Sequence, residues 1–246
     1  MRAPPRFYVS NLPAAGESMS LDPDETRHAV GVRRLQPGDA VELLDGCGGL
    51  AQAQIAESGS RAHGCVVRIE HRAIVAPPLL TVHLAAAVPK GDRQAVLLDM
   101  ATQFGMSMYT PLRCERSVTR VSTAALQRWR RIVIQACKQS GRAYLPIINA
   151  VSDPVTLAAK MTPGERLWVA DPHGTPVAEL DAQIRPTRGR VSALVGPEGG
   201  FTAAELRTFD DHGAIRVRLS PAVLRVEAAA VALLAQLNGV QSRNPD

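Results

Sequence analysis

Gly196-Pro197-Glu198-Gly199-Gly200 is the segment of this chain whose residue types best suit chemistry. Its glycines let main-chain groups come close to a ligand, and its proline prevents continuation of a strand. The segment follows the apolar run Val191–Val195 and precedes Thr202, with Glu205 three residues further on. That is the spacing of a capping box, with Phe201 and Leu206 at the two positions of a hydrophobic staple. A strand, a glycine turn and a helix N-terminus in succession can hold a ligand against main-chain groups. The same residues also serve as a tight strand-to-helix turn with no ligand. The segment is not a Walker A loop, which needs Lys-Ser/Thr after its glycines, and it lacks the G-x-G-x-x-G dinucleotide spacing.

The remaining chemical groups are spread along the chain. His28 has the chemistry of a catalytic base, but also of a structural residue or a phosphate contact. From Arg113 to Arg142 there are eight Lys or Arg and one acid, Glu115. A solvated helix face accounts for part of this run; a phosphate-binding surface accounts better for its sign bias. The net charge of +5 points the same way, toward an anionic partner. Aromatic residues make up only 4%, which argues against broad base-stacking platforms. Cys47, Cys65, Cys114 and Cys137 show no C-x-x-C spacing, so they read as reduced thiols and not as a disulfide frame or a metal site. The N-terminal residues have no apolar signal core, and the longest apolar runs are too short to span a bilayer. A cytoplasmic protein with no membrane partner and no metal is the expectation.

The elements that must position these groups fall into two regions. Residues 1–74 carry short strands at Phe7–Val9, Val41–Leu44, Leu50–Ala56 and Cys65–Glu70, with glycine turns between them, and a short helix opening at Asp22-Pro23-Asp24-Glu25. Such a pattern suggests a small β-barrel. Pro77-Pro78 marks the boundary, and residues 75–246 alternate strand and helix. Alternation of this kind implies an α/β domain, a mostly parallel sheet with helices on both faces. Ligands in such sheets sit beyond the carboxyl ends of the strands. Three loops fit: Asp171–Gly174 after a strand at Arg166–Ala170, Gly196–Phe201, and Leu219–Arg225 ahead of a last helix running to Asn238.

Two segments taken together, LVGPEGGFTAAEL and VRLSPAVLRVEAAAVALLAQL, with QACKQSGR at 135–142, resemble the bacterial ribosomal RNA small-subunit methyltransferase E family, the 16S rRNA (uracil-N3)-methyltransferases. The resemblance covers nearly the whole chain. It implies a PUA-like β-barrel over 1–74 and a C-terminal SPOUT domain over 75–246, with a trefoil knot near the end of the chain. It implies a homodimer acting on 16S rRNA of the small ribosomal subunit, with S-adenosyl-L-methionine held in the knot largely by main-chain groups. By position, Leu194, Gly196, Pro197, Gly199 and Gly200 would line one side of that cofactor. Leu219, Ser220, Val223, Leu224 and Arg225 would line the other, with Ala170 and Asp171 contributing from the preceding strand.

The family's L-G-P-R-I-L-R-T-E-T-A appears here as Leu219-Ser220-Pro221-Ala222-Val223-Leu224-Arg225-Val226-Glu227-Ala228-Ala229. Ser220 stands for a glycine, Ala222 for an arginine, and Val226 and Ala228 for threonines. The glycine exchange matters if that backbone needs a positive φ. For the reaction, Arg225 is the candidate to stabilise negative charge developing on the uracil. Glu227 is the candidate to accept the N3 proton or to orient Arg225, and Glu198 is the other carboxylate near the cofactor. Arg6, Arg33, Arg34, Arg116, Arg120 and Arg142 are the candidate RNA contacts. Two further readings stay open: a SPOUT methyltransferase for another RNA nucleotide, and an RNA-binding assembly module that has lost catalysis.

Overall fold

In the computed structural model of the chain, residues 3–58, 64–119, 121–162, 164–180 and 187–238 are described. They form two compact units, Met1–Pro77 with Cys137–Leu145, and Pro78–Ala136 with Pro146–Asp246.

In the first unit, strands β1 (Arg6–Tyr8), β2 (Ser18–Ser20), β3 (Ala40–Leu44), β4 (Gly49–Ser58) and β5 (Cys65–Ile74) form one sheet in the order β1-β3-β4-β5-β2. All pairs are antiparallel except β1 with β3. Period-two alternation decides the inner face: Ala51, Ala53 and Ile55 of β4 and Val67 and Ile69 of β5 join Phe7, Val41 and Leu43 in one buried cluster. Register shifts at Gln52/Ala53 and Ile55/Glu57 interrupt the β4–β5 ladder. Bulges of this kind increase local twist and let a short sheet coil around its core.

The helix opening at Asp22 runs to Val32 but changes its winding on the way. The Asp22 side chain accepts the Glu25 N–H and starts α1 (Pro23–Thr26), but the next six residues, Arg27–Val32, form a π-helical turn closed by Arg33 N–H donating to the His28 carbonyl. Lys138 is buried here and not on a solvated face. Its ammonium donates to both carboxylate oxygens of Glu25, each at 2.7 Å, and lies 5.5 Å from the Phe7 ring centre. Burial pushes the Glu25 carboxyl up, and the hydrogen bond and charge of Lys138 pull against that rise.

The second unit carries β6 (Leu80–Ala87), α2 (Arg93–Gln103), β7 (Met106–Leu112), α3 (Thr123–Ser140), β8 (Ile147–Ile148), α4 (Pro154–Ala159), β9 (Arg166–Pro176), β10 (Gly189–Val195), α5 (Ala203–Asp211), β11 (Ile215–Arg218) and α6 (Val226–Asn238). The last residues of α3, from Cys137, count with the first unit. The sheet order is β11-β9-β10-β6-β7-β8 and every pair is parallel. Both faces are covered, so β6 and, from Val191 onward, β10 are buried almost throughout and mostly apolar, with His83 and Ser192 as buried polar exceptions. Leu157 of α4 and Phe209 of α5 pack with Ala85, Leu167, Val169 and Leu194. Helix α6 lies against β6, β9, β10 and α2, so the chain returns from edge strand β11 to the middle of the sheet.

A polar chain crosses this sheet. Asn149 Nδ2 donates to Thr110 Oγ1 (3.0 Å), which lies 2.7 Å from His83 Nε2; His83 Nδ1 lies 3.1 Å from Ser192 Oγ, and that hydroxyl donates to Glu165 Oε1 at 2.5 Å. Because Ser192 gives its proton to Glu165, its oxygen accepts from His83 Nδ1–H, which leaves Nε2 to accept from Thr110. Burial pushes the His83 imidazole down to about 4.

Candidate active site

At the carboxyl ends of β9, β10 and β11 the second unit encloses a cavity of about 320 Å³. Its position is the one expected for a ligand of a parallel sheet, and its size lies at the lower end for small-molecule sites. One wall is the turn 196–200 and the other is 219–224. Val195, Phe201, Leu206, Val217, Val226 and Ala229 give the remaining lining an apolar character.

The first wall is held by the capping box at Thr202. The Glu205 carboxylate accepts the Thr202 N–H at 2.8 Å, and the Thr202 hydroxyl accepts the Glu205 N–H. The other oxygen of Glu205 accepts the Glu115 N–H at 2.9 Å. One carboxylate therefore fixes both the start of α5 and the loop after β7. That loop carries Arg116, whose Nη1 donates to the Gly199 carbonyl at 2.6 Å. Gly200 has φ +69°, a conformation that side chains resist, and a Cβ on Gly196 would lie 3.0 Å from the Phe201 ring.

The loop expected at Asp171–Gly174 is part of the strand. Strand β9 continues to Pro176, and its pairing with β11 jumps from Val169↔Arg216 to Thr175↔Val217. Residues 170–174 therefore form a large bulge toward the cavity. Gly174 makes this possible, since a Cβ there would lie 2.6 Å from the Arg216 carbonyl carbon. Asp171 organises the bulge: it accepts the His173 N–H at 2.9 Å and pairs with Arg216 at 3.5 Å. Its carboxylate is thus engaged within the protein.

Of the residues expected around a cofactor, Ala170, Gly196, Pro197, Gly199, Gly200, Leu219, Ser220, Val223 and Leu224 all line this one cavity. Leu194 lies in the buried core beneath it and Arg225 is exposed on the turn before α6; neither is part of the lining. Ser220 raises no backbone difficulty, because Arg34 is the only non-glycine with positive φ among the described residues. The Ser220 hydroxyl instead accepts the Ala222 N–H at 3.2 Å and stabilises the turn.

Glu198 lines the cavity, while Glu227 lies in the first turn of α6. Arg93 connects them, at 3.3 Å from Glu198 and 3.8 Å from Glu227. Sequence reasoning passed over Arg93. Its signal was a cation in the first turn of a helix, where the macrodipole disfavours one unless carboxylates are near. His173 and Arg218 also line the cavity without having been singled out.

The six arginines expected to meet RNA are placed very differently. Arg33 and Arg34 are exposed beside the π-helical turn, with Arg33 Nε 3.3 Å from His28 Nε2. Arg6 is engaged by Glu42 at 2.6 Å and by the Lys138 carbonyl at 3.3 Å. Arg116 lies over the glycine turn, Arg142 is largely desolvated, which pulls its guanidinium down, and Arg120 lies outside the described residues. Among the described residues, no cluster of His, Cys, Asp and Glu could hold a metal, and no helix is long and apolar enough to cross a membrane.

Residues 76–238 match the RNA methyltransferase domain family, and residues 21–64 match the RNA methyltransferase PUA domain family. The chain is 33% identical to the ribosomal RNA small subunit methyltransferase E of Mycobacterium bovis, over 96% of this chain and 92% of that protein. It is 30% identical to the enzyme of the same name from Synechocystis, over 96% of this chain and 77% of that protein. Among solved structures, the ribosomal RNA small subunit methyltransferase E of Neisseria gonorrhoeae, bound to S-adenosyl methionine, superposes with a TM-score of 0.87 at 27% identity, over 97% of this chain and 98% of that one. With its PUA-like sheet, its all-parallel SPOUT sheet and its cavity between two turns, this chain belongs to the ribosomal RNA small subunit methyltransferase E family.

Proposed function

We propose that this protein methylates N3 of a uridine in the 16S ribosomal RNA of the small subunit, with S-adenosyl-L-methionine in the cavity between residues 196–200 and 219–224. The observation that carries this reading is that cavity, walled by two turns at the strand ends of an RNA methyltransferase domain. The residues fit the cofactor: two turns offer main-chain groups, apolar side chains cover the rest, and Asp171 is already engaged by His173 and Arg216. When bound, S-adenosylmethionine supplies a methyl group activated by its sulfonium sulfur. A threaded C-terminus, with α6 drawn back across the sheet after β11, would bring the second turn against the first.

The chain's own residues have two tasks, to align the uracil and to stabilise its anion. Arg225, exposed at the entrance of α6, supplies a permanent positive charge for the second task. Glu227, two residues on, accepts the N3 proton, and Glu198 orients the turn through Arg93. Arg33 and Arg34 offer RNA an exposed basic pair, and Arg116 brings charge to the cavity. The protein acts in the cytoplasm as a homodimer. An apolar stripe along α2 and its C-terminal cap, Val96, Met100 and Phe104 at four-residue spacing and all exposed, supports burial against a second copy.

The test is methyl transfer from labelled S-adenosylmethionine to 16S RNA and to small subunits, followed by mass mapping of the product. A single N3-methyluridine is the expected product. A different modified nucleotide would replace the target assignment. Absence of both cofactor binding and methyl transfer would leave an RNA-binding module. Light scattering settles the dimer.

A further inference from the structure

We propose that Arg93 is a positioning residue for methyl transfer, one guanidinium that sets Glu198 and Glu227 relative to each other; the inference rests on the reading of this site as a methyltransferase. Arg93 opens α2. Its Nε donates to the Lys90 carbonyl at 3.3 Å, its Nη2 donates to Glu198 Oε1 at 3.3 Å, and its Nη1 lies 3.8 Å from Glu227 Oε2. These partners belong to the turn after β6, the glycine turn after β10 and the first turn of α6. Three segments that follow three different strands thus meet on one rigid planar group.

Two observations separate this role from simple helix stability. A cation in the first turn of α2 opposes the helix macrodipole, so α2 by itself gains nothing from it. Glu227 Oε2 is buried and has no hydrogen-bond partner, so the charge of Arg93 is what orients it. The Glu227 side chain is 15% exposed, and Oε2 itself is shut off from solvent. Without Arg93 the carboxylate at the foot of α6 and the glycine turn on the cavity wall become free to move independently, and methyl transfer depends on alignment to within about 1 Å.

The experiment compares wild type with Arg93→Ala, Arg93→Lys, Glu227→Gln and the double variant Arg93→Ala/Glu227→Gln. It reads kcat and KM on small subunits, the S-adenosylmethionine dissociation constant by calorimetry, and Tm. Arg93→Ala should lower kcat about tenfold to a hundredfold. It should change the cofactor dissociation constant less than about fivefold, because the pair with Glu198 is half exposed and weak. Arg93→Lys should recover part of kcat, having the charge without the planar fork. The double variant should lose less than the product of the two single losses, since the two changes share the Arg93–Glu227 pair. Wild-type kcat in Arg93→Ala overturns the proposal. So do kcat losses that multiply in the double variant, and a kcat loss that merely follows the folded fraction at the assay temperature. A wild-type protein that neither binds S-adenosylmethionine nor methylates small-subunit RNA overturns the functional reading as well, whereas an active wild type with an indifferent Arg93→Ala overturns the positioning role alone.

Discussion

Between pH 6.5 and pH 4 the parallel-sheet unit should lose stability through a single imidazole. His83 is 5% exposed, on the central strand β6, and burial holds its imidazole near 4 instead of the ordinary 6.5. The unfolded chain therefore takes up a proton that the folded chain refuses, and stability falls as pH drops through this window. The full difference, at about 1.4 kcal/mol per pH unit, is about 3 kcal/mol, of which about 2 kcal/mol is already lost at pH 5. Above pH 6.5 and below pH 4 His83 adds no slope. The charged groups around it oppose each other, Glu165 favouring protonation through Ser192 and Arg190 disfavouring it. Protonation would also require the Thr110 hydroxyl to reverse, although Asn149 already donates to that oxygen. Guanidinium unfolding followed by tryptophan fluorescence is the assay, because both tryptophans, Trp129 and Trp168, are buried in this unit. The variant His83→Asn will itself be less stable, but its stability should be flatter by about 3 kcal/mol across the window than that of wild type. Parallel curves for the two proteins, or an NMR titration placing His83 near 6.5, would refute the reasoning.

Glu205→Ala removes the acceptor for two backbone donors at once, so it should cost about 2 kcal/mol in chemical unfolding; Thr202→Ala, losing one cap, should cost about 1 kcal/mol. Breaking the buried pair in the first unit by Lys138→Met strands the Glu25 carboxylate and should cost about 3–5 kcal/mol. Adding Glu25→Gln to that variant should recover part of the loss, as calorimetry can measure. Reversing Arg33 and Arg34 to Glu should weaken RNA binding and reduce the slope of log K against log salt by about 2, whereas Arg6→Ala should act on stability through Glu42 and leave that slope nearly unchanged.

The order of the elements was legible because local rules agree with one another. Thr202 and Glu205 predict a capping box and form one, and the apolar runs of β6 and β10 predict strands covered on both faces. What local rules could not reach depends on partners far away in sequence. Asp171–Gly174 has the composition of a loop, yet pairing with β11 continues the strand beyond it, and Gly174 is required by the backbone of Arg216. Lys138 looks like the solvated face of a basic helix until Glu25, 113 residues earlier, supplies its counter-charge. The glycine turn 196–200 was legible as a candidate ligand wall, and it lines the cavity. Arg93 did not announce itself, because its carboxylates lie 105 and 134 positions later.

The first unit is discontinuous in sequence, and this governs how the chain can be divided. A fragment that stops at Pro77 would contain every strand of the coiled sheet yet lack the peptide 137–145 that completes it. Its Glu25 would be left in an apolar interior without an ammonium, and Arg6 without the carbonyl it clasps. On the ribosome, the amino-terminal third would emerge in full and still wait for nearly seventy further residues before its last side chain arrived. A separately produced first unit would need that peptide restored, by fusion through a short linker or by addition in trans.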